Sequence, residues 1–228
     1  MGNYLQIAFF VAVLVSPAIS WAMESKCFGT TSNGRIEGAV SLPLSGENFS
    51  SYSFAGWSIG RTYVHTKVRS VLLGAFEQLE AAAPRKVFVY GETGAENGGR
   101  FAPHKTHQNG LSVDLMVPVV LKGRSVPLPG GILNRYGYDI EFDGKGKFGE
   151  YQIDFEALGE LIYQIDRTAR KNKVGITRVI FEVPLQKLLW RSARGAYLKK
   201  NVVFSTKPAW VRHDEHIHVD FAISCSRM

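Results

Sequence analysis

Five of the six histidines in this chain fall in two short windows. The first, PHKTHQNGLSVDL from Pro103 to Leu115, places His104, His107 and Asp114 close together, and the second, HDEHIHVDF from His213 to Phe221, holds His213, His216 and His218. Gly110 lies between His107 and Asp114, and its lack of a Cβ permits the backbone turn that would bring those two side chains together. After that glycine the pattern alternates, with Leu111, Val113 and Leu115 on one face and Ser112 and Asp114 on the other, the period of a half-buried strand. Asp114 therefore points away from the apolar layer, towards whatever His107 faces. His216 and His218 are two apart, so on a strand both imidazoles project from one face. Two imidazole nitrogens and a carboxylate oxygen suit zinc in its catalytic form, which takes three protein ligands at roughly 2.0–2.2 Å and keeps a fourth position for water. One histidine is then left over for acid/base work. A lone histidine is usually an ordinary core or surface residue; clustering beside an aspartate at turn spacing separates these five from that role.

The elements that must position these residues can be read in order. From Phe28 to Arg61 the chain is rich in Gly, Ser and Asn, which predicts loops and small strands. Val68, Val71, Leu72, Ala75, Phe76 and Leu79 recur at helical spacing, and Pro84 marks the end of that helix. His65, just before it, is the histidine outside both windows and reads as structural. Val87 to Glu92 is a compact β-rich run, and the strand from Leu111 to Val120 leaves the first histidine window. Lys122 to Tyr151 is polar and punctuated by Pro and Gly, an extended excursion suited to one wall of a groove. Asp154 can cap a helix whose stripe is Phe155, Leu158, Leu161, Ile162, Ile165 and Ala169. Ile176 to Val183 reads as a strand, Pro184 opens a short helix through about Ala196, and the last strand begins near His216. Helices and antiparallel-looking strands without regular βαβ repeats predict an α+β domain.

Composition bounds the function. With 228 residues and 45% hydrophobic content the chain can bury a full core, and it fits one domain behind a processed N-terminus. The net charge of +7 favours an anionic polymer, nucleic acid or a carboxylate-rich cell wall. Its basic residues are scattered without interleaved aromatics, which argues against nucleic acid. Residues 1–22 read as a signal peptide: an apolar run from Leu5 to Val15, a break at Pro17, and small residues at Ser20 and Ala22 where a signal peptidase reads. No Lys or Arg precedes the run, so an uncleaved anchor is the alternative; the run itself is short for a membrane span. The folded part, residues 23–228, is expected outside the cytoplasm with no stable membrane insertion after cleavage. Two cysteines, Cys27 and Cys225, fit a disulfide in an oxidising compartment. No phosphate-cradling glycine loop and no G-x-S-x-G serine motif is present.

The pattern H-x-x-H-Q-x-G-L-x-x-D, formed by His104, His107, Gln108, Gly110, Leu111 and Asp114, together with H-x-x-H-x-H, formed by His213, His216 and His218, resembles the penicillin-insensitive murein endopeptidases. Those belong to a superfamily with lysostaphin-type peptidases, D-alanyl-D-alanine peptidases and the hedgehog signalling domain. The resemblance runs from about Tyr63 to Phe221 and skips the excursion from Lys122 to Tyr151. It implies a small antiparallel sheet flanked by helices, with zinc held by His107, Asp114 and His218. It also implies His216 as the catalytic histidine, His104 and His213 lining the site, and the peptide cross-links of periplasmic peptidoglycan as substrate. Hydrolysis by activated water needs no serine nucleophile, which would account for indifference to β-lactams. A D,D- or L,D-carboxypeptidase would use the same metal set, and a non-catalytic zinc-bearing recognition domain is the other alternative. For proton transfer, Glu215 competes with His216; on a regular strand His216 shares the face of His218, whereas Glu215 points the other way unless a bulge intervenes.

Overall fold

The computed structural model describes residues 24–228; the expected export segment, residues 1–22, lies outside the described residues. Five strands form the central sheet, in the order Gly175–Ile180, His216–Ala222, Ser112–Met116, Phe88–Tyr90, Phe49–Ser51. Its first four strands pair antiparallel, as expected, but Phe49–Ser51 adds in parallel to Phe88–Tyr90, so the sheet is mixed. That fifth strand comes from the stretch read as loops and small strands, where Gly and Ser obscure the short piece that joins the sheet.

Two long helices, Thr66–Ala82 and Phe155–Lys171, pack against each other and share one core with Val113, Leu115, Ile217 and Val219 of the sheet. Both carry the predicted apolar stripes, fully buried except Phe155, and each such buried Leu, Ile or Val stabilises the fold by about 2 kcal/mol. Asp154 accepts from the Ala157 N–H at 3.0 Å and caps the second helix. His65 caps the first: its Nδ1 accepts from the Lys67 N–H at 3.1 Å, a structural role. Because side chains alternate across a strand, the residues between the core positions, Ser112, Asp114, His216, His218 and Asp220, all face the other side of the sheet.

Three boundaries differ from expectation. The strand read from Leu111 to Val120 breaks at Val117-Pro118 into Ser112–Met116 and Val119–Leu121, since proline has no N–H for the ladder. The short helix after Pro184 ends at Leu189, and a separate one runs Gly195–Asn201. The excursion from Lys122 is not a bare loop. Val119–Leu121, Arg124–Val126, Lys147–Phe148 and Tyr151–Ile153 form a small four-stranded sheet, with a 3-10 turn at Ile132–Gly137 between them.

At the chain ends Cys27 and Cys225 are joined by a disulfide spanning 198 residues. It ties the hairpin of Lys26–Thr30 and Asn33–Glu37 to the segment just past the last strand. The same hairpin braces the first histidine window, through Gln108 N–H to Thr31 O and Ile36 N–H to Asn97 O. Among the described residues no helix is long and apolar enough to cross a membrane.

Candidate metal centre

Strand register sets the centre of the site. Asp114 and His218 are directly opposed on neighbouring antiparallel strands, and His216 lies opposite Met116. Gly110 makes the expected turn at φ +76°, where a Cβ would stand 2.5 Å from Ile36 Cδ1 and 2.9 Å from the His65 nitrogen. His107 is itself left-handed, at φ +68°, and completely buried. The loop thereby returns its ring to Asp114.

The Asp114 carboxylate is buried, and its two oxygens face different groups. Oδ1 lies 3.0 Å from His218 Nδ1 and 3.3 Å from His107 Nε2. Oδ2 accepts from the Tyr138 hydroxyl at 3.1 Å and lies 3.7 Å from His104 Nδ1 and 3.8 Å from His216 Nε2. One ligand atom each from His104, His107 and Asp114 lie within 4.8 Å of one another. His213 stands further out, its ring 4.6 Å from that of His216 and its Nδ1 donating to Val211 O at 3.0 Å. All six residues singled out from the sequence are therefore brought to one place.

Each inner imidazole turns its second nitrogen outward to a fixed acceptor. His107 Nδ1 donates to Thr93 O at 3.1 Å, His104 Nε2 to Glu92 at 2.5 Å, His216 Nδ1 to Glu215 at 2.7 Å, and His218 Nε2 to Asp220 at 2.8 Å. Outer acceptors of this kind fix the orientation of rings that turn their other nitrogen towards a metal. For His107 the consequence is sharp. With Nδ1 committed as donor, Nε2 is a bare acceptor facing a carboxylate oxygen, and it has no hydrogen-bond partner. Burial holds the His107 pKa below its usual value despite the Asp114 charge, which opposes a second proton there. A buried, unpaired nitrogen beside a carboxylate is the chemistry of a cation ligand pair, so the donor set fits a divalent metal.

Burial and neighbouring groups shift the surrounding ionisable side chains. Burial alone would raise Asp114, but the neighbouring histidines hold its pKa well below the carboxylate range. Against its burial, His218 is pushed up to about 9 by hydrogen bonds to Asp114 and Asp220. Burial lowers His213 to about 4, so it is neutral at neutral pH. Glu92, despite burial, is brought down to about 2 by hydrogen bonds from His104 and Arg61. Tyr138 is raised well above its usual value, by burial first and the Asp114 charge second, and stays a donor.

Sequence reading missed Glu92, Thr93, Tyr138 and Asp220. It also set Glu215 on the opposite face of a regular strand; the strand starts at His216, and the buried Glu215 carboxylate comes back to His216 Nδ1. Asp220 did carry a signal, because it continues the spacing of two from His216 and His218.

A cavity of about 780 Å³ opens onto Asp114, His216 and His218, walled by the 103–106, 135–141 and 205–215 segments. A smaller cleft of about 300 Å³, bordered by Tyr52, Ile59, Ile132 and Tyr136, adjoins it at His104 and Tyr138. The two share Pro103, His104, Arg135 and Tyr138. The excursion thus supplies one wall of a groove.

Residues 27–128 match the family model described as penicillin-insensitive murein endopeptidase. The matched segment includes Glu92, His104, His107 and Asp114; Tyr138 and the second histidine window lie beyond it. No match was found among curated proteins.

Proposed function

We propose, from the match of residues 27–128 to the penicillin-insensitive murein endopeptidase family, that the chain is a zinc-dependent hydrolase of the peptide cross-links of peptidoglycan. The observation that carries the reading is the orphaned His107 Nε2 facing Asp114 Oδ1.

The ligands we assign are His107, Asp114 and His218. Support comes from the division of the carboxylate: the nitrogens of His107 and His218 both address Oδ1, whereas His104, His216 and Tyr138 gather at Oδ2. His104 is the competing third ligand, since it belongs to the tight trio with His107 and Asp114. Metal content of His104→Gln and His218→Gln separates the two. The assignment expects the first to keep its metal and the second to lose it, and the reverse pattern would transfer the role to His104.

When bound, zinc supplies a Lewis acid that polarises a carbonyl and lowers the pKa of water towards 7. His216, with Glu215 fixing Nδ1, would take at Nε2 the proton given up by the water whose oxygen adds to the carbonyl carbon, and deliver that proton to the amine as the C–N bond breaks. His213, kept neutral beside it, and His104 line the site without carrying that proton. The two clefts that adjoin at His104 and Tyr138 give room for an extended substrate, which favours an endopeptidase over a carboxypeptidase. An exported, periplasmic protein follows from the substrate and agrees with the disulfide.

The test is digestion of purified sacculi by the metal-loaded protein with and without a chelator, products identified by mass spectrometry. Cross-linked dimers falling to monomers only without chelator is the expected result. Loss of a terminal residue alone would make it a carboxypeptidase, and unchanged sacculi would leave a recognition domain.

A further inference from the structure

Five cationic side chains line the large cavity: Lys105, Arg135, Arg178, Lys207 and Arg212. Three are neutralised. Arg135 pairs with Asp139 at 3.2 Å, Arg178 with Asp220 at 2.6 Å, and Arg212 with Asp214 at 2.8 Å. Among the described residues neither Lys105 nor Lys207 has an ion-pair partner. Lys105 Nζ instead sits 4.7 Å from the centroid of the Trp210 ring, which joins the loop carrying His104 to the loop carrying Lys207. A cation–π contact of this kind holds an ammonium in place without cancelling its charge.

We propose that Lys105 and Lys207 form a carboxylate-binding subsite, so that the part of the substrate lying in this cavity bears a free carboxylate. The proposal rests on the hydrolase reading above and names the chemistry that the site selects. The carboxylates on the same wall are engaged elsewhere, Asp139 with Arg135, Glu141 and Asp214 with Arg212, Glu215 with His216 and Asp114 with the histidines, so the two ammonium groups are left to meet an anionic ligand. Lys105 directly follows His104, and both line the same cavity. A neutral peptide would leave both ammonium groups unanswered, and an acidic stem peptide satisfies them.

The experiment compares two probes, a peptidoglycan tetrapeptide stem with free carboxylates and the same stem with its carboxylates amidated. Binding to metal-loaded protein is measured by calorimetry, for the wild type and for the Lys105→Met, Lys207→Met double variant. The wild type should prefer the free acid by about tenfold, and the double variant should bind both alike. On cross-linked muropeptides the variant should show raised KM with unchanged kcat and unchanged metal content. Equal wild-type affinity for both probes, or a preference that survives in the variant, would overturn the subsite. Lysine-dependent binding without hydrolysis would uphold the subsite and sink the hydrolase reading. Hydrolysis without carboxylate preference would do the opposite.

Discussion

Tyr138 donates its hydroxyl to Asp114 Oδ2 at 3.1 Å while accepting the Glu92 N–H at 2.8 Å, although it comes from an excursion with no regular pattern in the sequence. With Oδ2 engaged, Oδ1 is the oxygen left for His107 and His218. One phenol thereby fixes the rotation of the central carboxylate.

Tyr138→Phe should keep the fold and weaken the metal. The lost donor frees the carboxylate to rotate, and outer-shell changes of this kind typically cost about 10- to 100-fold in metal affinity or activity. The Glu92 N–H also loses its acceptor, a further loss of roughly 1–3 kcal/mol. Competition against a metallochromic chelator and thermal unfolding measure the two effects; wild-type metal affinity would remove Tyr138 from the site.

His216 and Glu215 act as a pair, with unequal expected losses. His216→Ala removes the proton-bearing ring and should reduce hydrolysis by about 100- to 10,000-fold with the metal retained. Glu215→Gln keeps a hydrogen bond to Nδ1 but loses the charge, and a loss of about 10- to 100-fold is expected. Rates on a cross-linked muropeptide decide. A nearly inactive Glu215→Gln beside a largely active His216→Ala would move the proton to the glutamate.

His65 makes a pH prediction away from the metal. Burial lowers its folded-state pKa, and its Nδ1 caps the helix only while unprotonated. In the unfolded chain the value is about 6.5. The unfolded state therefore takes the proton first, so the cap's stability is fully present above about 6.5 and falls as the pH drops below it. His65→Asn keeps a capping oxygen that does not titrate, and an N-cap is worth about 1 kcal/mol. Urea midpoints of the metal-free proteins should show the variant gaining on the wild type from pH 7.5 to 5. Parallel profiles would refute the capping argument.

Replacing both Cys27 and Cys225 with Ser should lower stability by up to on the order of 5 kcal/mol, the chain-entropy value for a loop this long. Guanidinium unfolding of the variant gives the figure. Indistinguishable midpoints would mean that the bridge does not constrain the unfolded chain.

The parts of this fold that were legible in the sequence are those set by local periodicity. Val68 to Leu79 and Phe155 to Ala169 repeat at helical spacing, and Asp154 announces its cap, so both helices and one boundary could be read directly. The site was half legible. Histidines grouped in two windows pointed to one another, but Glu92, Thr93 and Tyr138 reach the centre only through tertiary packing, and no spacing links them to it. Phe49–Ser51 lies in a stretch read as loops and small strands, but its place in the central sheet was not legible: three residues are too few for a period of two to stand out among glycines and serines.

The last strand, His216–Ala222, lies between Gly175–Ile180 and Ser112–Met116, and its His218 meets an Asp114 that is 104 residues earlier in the chain. That insertion gives the protein a clock. A nascent chain that has already emitted His104, His107 and Asp114 still lacks the opposite side of the centre, and no early folding unit can contain it. The cluster is therefore complete only once that strand has inserted between its two neighbours.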